Sequence, residues 1–509
     1  MNYTALFHSM LPETVLEIAA LLVLVVDLGA LRKSTIKARA AIAALFGILG
    51  CAVALWAVYA AGWTGFSVGR DLLLAAGGTA AVAQVAILVL TALTLLLLVD
   101  SEFTRHPGEY VAVVLMAAAG GMIIAAAQDL LVIFVGLELL SLGLYILTAF
   151  AKKSGRSAEA AMKYYLFGGM SAAFLLFGFS YLYGLSGSTG LDTVVRYAYF
   201  QSVSGGRPLL VIALVMIAVG LGFKVAAVPF HLWAPDAYEG APAPAAAFIA
   251  SVSKVASFAL LISIGSAMLH VSGQYLIGNY IVYVTEYSAK HFGMEGSWWL
   301  LLALLSAASM IFGNLAALAQ TSVRRLLAYS AIAHAGYVLL GVAFLSGTNA
   351  LPQAILFYIV TYGLTTIGAF GVVGVVERVS GSDKLDAFLG LQKRNPLLAA
   401  VLLVLFLSLA GIPSLVGFWA KFNLFAAVLA VGAGRVGFAL VALAIAMSAV
   451  SLYYYLQVLK RAYVMPAADE TPIKAHPVTI AVLALIAVAV IVLGCFPALL
   501  QGWIAGFYV

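Results

Sequence analysis

Five charged side chains stand inside stretches of this 509-residue sequence that are otherwise apolar. They are Glu138, Lys163, Lys224, Lys254 and Lys421. A charged group at the centre of a bilayer costs about 2.5–3.5 kcal/mol on insertion scales, so such groups normally face a polar or wet interior. Carboxyl and amino groups bind and release protons, and the set therefore predicts a proton path. Lys163 begins its apolar run, and snorkelling to the interface is an open alternative for it.

His334, in the sequence YSAIAHAGY, joins this set. An imidazole has an ordinary pKa of about 6.5 and suits proton transfer near neutral pH, although a lone histidine in a helix is more often structural. A carboxylate beside a buried lysine stabilises the charged lysine, so movement of Glu138 relative to Lys224 would switch that lysine between holding and releasing a proton. We predict that Lys254, His334 and Lys421 belong to the same proton path.

The elements that must hold these residues are membrane-spanning helices. The sequence is 64% hydrophobic and 9% charged, against roughly 45–50% and 25% in soluble domains. Its apolar runs have the length of a spanning helix, about 20 residues, and they do not alternate as barrel strands do. Fourteen such runs begin near Leu11, Ala38, Thr79, Tyr110, Leu130, Met162, Leu209, Ala243, Ser297, Leu326, Gln353, Leu397, Val436 and Val478. The predicted fold class is an all-α polytopic membrane protein with about fourteen transmembrane helices.

Basic residues are distributed unevenly over the predicted loops. Of the 26 lysines and arginines, 17 fall in one set of alternate loops, five in the other, and four inside the apolar runs. Because short cytoplasmic loops collect positive charge, the richer set is predicted to be cytoplasmic. An even number of spans then places both termini on the non-cytoplasmic side. Met1–Met10 has no basic stretch, so the run from Leu11 is predicted to be a span and not a cleaved signal.

Helix breakers interrupt two of the runs. In GFKVAAVPFH, Lys224 precedes Pro229, and in GIPSLVGFWAK, Lys421 follows Pro413. Backbone groups freed at membrane depth must be satisfied by protein or cavity water, and paired interrupted helices indicate ion-handling sites at a repeat interface. A weak internal repeat also occurs at an offset of 193 residues, or five spans. It relates four pairs of identical or similar residues: Gly143 and Gly336, Ala161 and Ala354, Tyr164 and Phe357, Tyr165 and Tyr358. A shift by an odd number of spans inverts the topology, so the second unit would be inverted relative to the first.

Other kinds of site lack support in the sequence. Cys51 and Cys495 stand alone in or beside apolar runs without neighbouring ligands, so no zinc or iron–sulfur centre is predicted. No Walker-type GxxxxGK[ST] run occurs, and we predict no bound nucleotide. The net charge of +6 is accounted for by topology, and we expect no nucleic-acid partner. The chain itself is therefore expected to hold no cofactor or metal.

These residues in their settings resemble the antiporter-like membrane subunits of respiratory complex I, the NADH-quinone oxidoreductase. The resemblance is carried by GLELLSL, GFKVAAVPFHLWAPDAYEGAP, Lys254 in the next span, YSAIAHAGY, and GIPSLVGFW before Lys421. Within this family the chain is most similar to the subunit N branch, because LPETVLEIAALLVLVVDL and DAFLGLQKRNPLLA match it. The two other branches differ from this chain. The subunit M pattern has a glutamate in the span where this chain has Lys421, and the subunit L pattern adds a long carboxy-terminal lateral helix.

The resemblance implies two inverted five-helix repeats, each with a broken helix, between flanking helices. Residues 1–109 would form helices 1–3, residues 110–270 the first repeat with helices 4–8, and residues 297–465 the second repeat with helices 9–13. Residues 466–509 would form helix 14. The stretch 271–296 departs from the family pattern, and we expect a connecting loop with an insertion there.

The resemblance also implies a role for each residue of the proton relay. It implies an ion pair in the first repeat, a central lysine, a histidine that bridges the repeats, a lysine in the second broken helix and a lysine near the cytoplasmic side. These are, in that order, Glu138 with Lys224, then Lys254, His334, Lys421 and Lys163.

The energy for pumping would come from partner subunits, which in this family hold NADH, FMN, iron–sulfur clusters and quinone. Expected partners are other membrane subunits of complex I, including a neighbouring antiporter-like subunit and small membrane subunits, in a prokaryotic inner (plasma) membrane. The chain would be a non-redox, proton-translocating subunit. Three alternatives stay open: a proton-conducting subunit of an Mrp-type cation/proton antiporter, a secondary transporter for an organic solute, and a structural scaffold.

Overall fold

The predicted apolar runs form helices. A computed structural model describes residues 7–60, 66–68, 71–75, 77–101, 103–203, 207–269, 273–277, 280–284, 294–346, 348–467 and 471–508. All fourteen runs are helical. Among the described residues, twelve helices are long and apolar enough to cross a membrane. The predicted all-α polytopic class is confirmed, and the chain is a multi-pass integral membrane protein.

The elements of the first part of the chain lead to the first interrupted helix and beyond it. They are α1 (Leu11–Val25), α2 (Ile36–Ala60), β1 (Phe66–Val68), β2 (Asp71–Leu74), α3 (Gly78–Leu98), α4 (Pro107–Ala126), α5 (Leu130–Thr148), α6 (Gly155–Ser186), α7 (Leu191–Val203), α8 (Arg207–Val225), α9 (Trp233–Gly240), α10 (Ala243–Ala250) and α11 (Val252–Leu269). Strands β1 and β2 pair in antiparallel orientation.

The second part of the chain begins with a strand pair and contains the second interrupted helix. Its elements are β3 (Gly273–Ile277), β4 (Tyr280–Val284), α12 (Met294–Leu318), α13 (Val323–Ala343), α14 (Ala350–Ser380), a 3₁₀ turn (Leu385–Phe388), α15 (Leu391–Arg394), α16 (Pro396–Ala410), α17 (Val416–Ala430), α18 (Gly434–Tyr463), α19 (Pro477–Cys495) and α20 (Ala498–Ala505). Strands β3 and β4 are antiparallel. They lie in the predicted connecting loop 271–296, of which residues 271–272, 278–279 and 285–293 are outside the described ranges.

Two of the fourteen runs, those that begin near Leu11 and Leu397, start with a helix shorter than a membrane span, for different reasons. Helix α1 has 15 residues and continues through a π-helical turn at Val26–Ala30. Helices α16 and α17 have 15 residues each and are separated by an interruption. A helix rises about 1.5 Å per residue, so 15 residues cover about 22 Å and fall short of a hydrocarbon core of about 30 Å. Together, α16 and α17 therefore account for one span.

The most enclosed helices include two that carry predicted relay residues, α11 and α13. Buried residues make up 94% of the most apolar 18-residue stretch in the span formed by α10 and α11, 89% of that in α13, and 83% of those in α4 and α14. By contrast, α18 is 22% buried and α6 is 33% buried. The enclosed helices form the centre of the bundle, and the others provide its outer surface.

Small residues allow α12 and α13 to pack closely. A Cβ at Gly313 would lie 2.6 Å from the backbone nitrogen of Ala333, and a Cβ at Gly336 would lie 2.7 Å from that of Met310. Helices in lipid associate through such close backbone approach. The glycines thereby fix α13, the helix that carries His334, against its neighbour.

A Gly-x-Gly-x-x-Gly pattern occurs at Gly432, Gly434 and Gly437 and requires explanation. This pattern marks a dinucleotide site only where it follows a strand and opens the helix of a βαβ unit. Here it joins two membrane helices, α17 and α18. Gly432 and Gly434 have φ of 72° and 62°, which glycine adopts without strain. The pattern serves a turn between helices.

A buried ion pair joins the first two helices. Arg39 Nε donates to Asp27 Oδ1 at 2.7 Å and Arg39 Nη2 donates to Asp27 Oδ2 at 2.6 Å. Asp27 lies in the π-helical turn and is 1% exposed, whereas Arg39 on α2 is 16% exposed. Bidentate pairs of this kind are among the stronger charged hydrogen bonds in proteins.

Replacing Arg39 by methionine is expected to destabilise the N-terminal helices by about 3 kcal/mol, because the Asp27 carboxylate would be left buried without its partner. The measurement is the thermal midpoint of the assembled, detergent-solubilised complex and the amount of this subunit retained in it. Arg32→Met is the matched control, since Arg32 is exposed near the same turn. Equal midpoints for the two variants would contradict a stabilising role for this pair.

The predicted division into residues 1–109, 110–270, 271–296, 297–465 and 466–509 stays a prediction, as does the inverted relation of the repeats. The two predicted helix interruptions are both present, one between α8 and α9 and the other between α16 and α17.

Candidate functional site: a buried line of titratable residues at two helix interruptions

The first interrupted helix, α8, ends at Val225. Ala226 has φ of 59°, in the left-handed region that residues with a Cβ rarely adopt. Pro229 has no backbone N–H to donate, and the helix resumes at Trp233. Because α8 stops there, no following amide of the same helix bonds the carbonyl of Val225.

Lys254 supplies the missing donor. Its Nζ donates to Val225 O at 2.5 Å, and the residue is 3% exposed. The C-terminus of a helix carries about half a negative charge, which an ammonium group neutralises. Lys254 lies on α11 just after the break at Ser251 that separates α10 from α11. Lys254 is therefore held at the first interruption, on the carbonyl of the residue that directly follows Lys224.

Lys224 lies in the last turn of α8 and is 5% exposed. Its Nζ donates to Ser141 Oγ at 2.8 Å, and Ser141 is one helical turn after Glu138 on α5. The half-buried carboxylate of Glu138 interacts electrostatically with Lys224, but the two do not form an ion pair within 4.0 Å among the described residues. The predicted ion pair is thus not a direct contact here, and the ammonium group donates to Ser141 instead.

The second interrupted helix is broken by its own glycine and proline. Helix α16 ends at Ala410, and Gly411 and Ser414 on either side of Pro413 have φ of 89° and 72°. The chain resumes as α17 at Val416. The last carbonyls of α16 therefore also lack amide partners from their own helix.

Lys421 on α17 points back to this end of α16. Its Nζ donates to Leu409 O and Ala410 O, each at 3.0 Å, and to Ser448 Oγ at 2.8 Å. The ammonium also lies 5.5 Å from the ring centroid of Tyr337, where the aromatic face attracts a cation. Lys421 is 6% exposed. Each interruption thus has one buried lysine that donates to the carbonyls of the helix that ends there.

His334 lies between the two interruptions. Its Nδ1 is 2.8 Å from Tyr358 Oη, and its Nε2 is buried without a hydrogen-bond partner among the described residues. The imidazole interacts electrostatically with both Lys421 and Lys254. A cavity of about 10 Å³ beside His334, Tyr358 and Ser408 is at the lower limit for one water molecule. His334 therefore interacts with the lysine at each interruption, and Lys254 is joined to the Glu138 and Lys224 pair through its bond to Val225 O, next to Lys224. We call Glu138, Lys224, Lys254, His334 and Lys421 the buried line.

Lys163 does not belong to this buried line. Its side chain is 42% exposed, and its Nζ contacts Glu159 Oε1 at 2.7 Å and Asp236 Oδ2 at 2.9 Å. Helix α6 begins at Gly155, so Lys163 lies about two turns inside it and not at its start. The structure places Lys163 in a separate charged cluster at the end of α9.

Several polar side chains of the site were missed by reasoning from the sequence. The hydroxyls of Ser141 and Ser448 accept from the lysines, and that of Tyr358 contacts the histidine. Serine and tyrosine are common in membrane helices, so their types alone give no signal. Asn314 did offer a signal, because the amide of a side chain in an apolar run must find its hydrogen-bond partners within the protein. Its side chain donates to Tyr337 Oη at 3.0 Å and accepts from Tyr454 Oη at 3.1 Å.

Two interrupted helices, each capped by a buried lysine with a histidine between them, define a multi-pass membrane protein with a titratable interior. The family model described as "NADH:quinone oxidoreductase/Mrp antiporter, TM" matches residues 127–448. This match covers more than half of the chain and includes all six predicted relay residues. The chain belongs to this family of membrane subunits.

Relatives with names and structures agree with this assignment. NADH-quinone oxidoreductase subunit N 2 of Acidobacterium capsulatum is 46% identical over 513 aligned residues, which cover 99% of each chain. A chain of respiratory complex I from Thermus thermophilus is 33% identical with a TM-score of 0.74, covering 96% of this chain and 98% of that one. A chain of the Mrp complex of a Dietzia species has a TM-score of 0.77 at 19% identity and covers 98% of this chain and 96% of that one, a likeness of fold.

Proposed function

We propose that this chain is a non-redox, proton-translocating membrane subunit of an NADH:quinone oxidoreductase. Protons would pass along the buried line from Lys224 through Lys254 and His334 to Lys421, and the charge of Glu138 would bias Lys224. The observation that carries the proposal is that both interruptions hold a buried lysine on the carbonyls of a helix end. The buried His334 interacts electrostatically with both lysines.

The chemistry of these contacts suits reversible proton binding. A lysine that donates to neutral carbonyls and hydroxyls has no carboxylate in direct contact to retain its charge, so small changes in position or hydration alter its affinity for a proton. Glu138 is near enough to Lys224 to interact and is not in contact with it. A shift of either helix would therefore change this interaction without first breaking an ion pair.

Partners and location follow from the names of the relatives. We assign NADH, FMN, iron–sulfur clusters and quinone to partner subunits, with quinone reduction there as the source of energy. Neighbouring membrane subunits of the complex would pack on the outer surface of the bundle. A bacterial inner membrane is proposed, with both termini on the non-cytoplasmic side, as the distribution of basic residues predicts.

We further propose that the two interrupted helices belong to inverted repeats within residues 110–270 and 297–465. The equivalent contacts of Lys254 on Val225 and of Lys421 on Ala410 support this relation. In the first case the capping lysine follows on a separate helix, and in the second it follows in the same broken helix.

The rival functions have less support. An Mrp-type antiporter subunit shares the fold, but the 46% identity lies with a subunit N protein. An organic-solute transporter needs a substrate-sized chamber, commonly about 300–1,000 Å³, whereas the cavity on the buried line is about 10 Å³. A larger cavity of about 440 Å³ lies beside Asp100, Arg156 and Arg378, apart from the line. A pure scaffold is disfavoured by the cost of the buried charges.

Glu138→Gln in the assembled complex tests the proposed function. Loss of the negative charge removes the bias on Lys224, and we expect the rate of proton pumping to fall by about 10-fold. This loss is smaller than the roughly 10²-fold or greater loss expected when a group that transfers the proton itself is removed. Pumping is measured in inverted membrane vesicles by a pH-sensitive dye, together with NADH oxidation in the same vesicles.

Glu109→Gln is the matched control, because Glu109 is 39% exposed and pairs with His106 at the start of α4. It should pump at the unmodified rate. Normal pumping by an assembled Glu138→Gln complex would contradict the proposed function. Copurification with flavin- and iron–sulfur-containing subunits would separate the oxidoreductase from an Mrp-type assembly.

A further inference from the structure

A second charged cluster lies at α9, outside the buried line. Asp236 on α9 accepts two charged hydrogen bonds, one from Lys163 Nζ on α6 at 2.9 Å and one from Arg325 Nη1 on α13 at 2.7 Å. Arg325 also donates to Glu239 Oε2 at 3.0 Å. The cluster therefore joins three helices, and α9 is the helix that resumes after the first interruption.

The end of α9 is fixed by a second arginine of α13. Arg324 is 4% exposed and donates to Glu239 O at 2.9 Å and Ala241 O at 2.6 Å. These carbonyls are at the C-terminus of α9, where a cation is favoured. Gly240 lies at the same place, and a Cβ there would be 2.8 Å from Arg156 O on α6. Helix α9 is thus held against both α6 and α13.

One tryptophan, Trp233, links α9 to the turn of α8 that carries Lys224. Trp233, the first residue of α9, donates from Nε1 to Phe223 O at 2.9 Å, and Phe223 precedes Lys224 in α8. The indole also stacks on Tyr164 of α6 with ring centroids 4.1 Å apart, and Tyr164 follows Lys163 directly. A displacement of α9 would therefore alter the turn that carries Lys224.

The surroundings of Lys163 do not lead to the buried line. Its ammonium is held between Glu159 and Asp236, and neither carboxylate contacts a residue of that line among the described contacts. Burial favours the neutral acid at Asp236, but hydrogen bonds from Lys163 and Arg325 outweigh it and hold the pKa of this carboxyl below its ordinary 3.8. Because the pKa is lowered, the carboxylate and its ion pairs persist at neutral pH and are lost only in acid.

We propose that Lys163 is a positioning residue: with Arg325 it holds Asp236, and so fixes α9 and the Trp233 contact that orients Lys224. This inference rests on the proposed function, because it gives Lys163 a different part in the same relay. It assigns the same part to Asp236. Lys163 would keep its proton throughout the cycle.

Arginine at position 163 separates a positioning residue from a proton carrier. Arginine can donate to Asp236 but does not deprotonate in proteins, so it can replace an ion-pair partner and cannot replace a carrier. We expect Lys163→Arg to pump at nearly the unmodified rate. Lys163→Met should lower the rate by about 10-fold, since small misplacements at a reacting group have effects of up to about 10²-fold.

Two further variants test the route through α9. Asp236→Asn should lower pumping at least as much as Lys163→Met, because it weakens the bonds from both Lys163 and Arg325. Trp233→Phe keeps the ring but removes the donor to Phe223 O, and it should lower pumping by a similar factor even if Lys163→Met fails to assemble. Asp192→Asn is the control for the charge change, since Asp192 is exposed and pairs with Arg196 within α7, away from the buried line.

All variants are measured in inverted vesicles for pumping per assembled complex. An assembled Lys163→Arg complex as slow as Lys163→Met would overturn the positioning role, and so would normal pumping by Trp233→Phe or Asp236→Asn. Lys224→Ala in the same series reports on the proposed function separately. Normal pumping by that variant would reject the relay itself, whatever the result at Lys163.

Discussion

Replacing Lys224 by alanine in the assembled complex is expected to lower proton pumping by about 10²-fold or more, the range found when a positioned proton-transfer group is removed. Lys224 is 5% exposed, and its only direct polar contact in the described part of the chain is Ser141 Oγ. No neighbouring side chain on α8 can take its place, because the turn around it contains Gly222, Phe223 and Val225. The measurement is dye-monitored acidification of inverted vesicles.

Two companion variants make the result at Lys224 specific. Lys224→Arg retains a cation and a donor for Ser141 but does not release a proton near neutral pH, so it should assemble and still not pump. Lys153→Ala is the matched control, as Lys153 is exposed in the loop between α5 and α6. Pumping by Lys224→Arg at the unmodified rate would show that only the charge matters, and the relay would be wrong at this position.

Replacing Lys421 is expected to have two separable effects. Lys421→Met leaves the carbonyls of Leu409 and Ala410 without their charged donor, and hydrogen bonds to charged groups contribute about 1.5–3 kcal/mol each. The second interruption should therefore loosen, which lowers the thermal midpoint of the complex. Pumping should fall by about 10²-fold, because the last member of the buried line is lost.

Lys421→Arg separates these effects. The guanidinium can still donate to the carbonyls at the end of α16, so the thermal midpoint should stay close to that of the unmodified complex. Pumping should nevertheless be lost, since arginine does not give up its proton. If Lys421→Arg pumps normally, the lysine only caps the broken helix and is not a carrier. Ser448→Ala removes one neutral partner and should have a smaller effect on both measurements.

Most of the architecture could be predicted from the sequence, because the hydrophobic effect acts on each segment separately. A run of about 20 apolar residues has few alternatives to a spanning helix. The same local logic predicted the interruptions, since Pro229 and Pro413 remove a donor wherever they stand. It did not predict that α10 and α11 would be separated at Ser251, where no proline or glycine stands.

The candidate site was predicted in part. Buried lysines are visible in a sequence because their type is costly in an apolar run, and four of the five charged residues lie on the buried line. Lys163 has the same residue type and a similar setting, yet it contacts Glu159 and Asp236 at a partly exposed surface. The difference depends on which face of α6 the residue occupies, and the run of apolar letters around it does not specify a face.

The sequence by itself determined that this protein crosses the membrane many times, that two of its spans are interrupted, and which side chains are too costly to face lipid. The tertiary structure alone decided which groups meet. Lys224 contacts a serine 83 positions away and Lys254 contacts a carbonyl 29 positions away. Such contacts depend on the packing of separate helices, whereas a helix itself forms from bonds between residues four apart. For the same reason, only the packed bundle shows the positions of His334 between the two interruptions and of Lys163 beside Asp236.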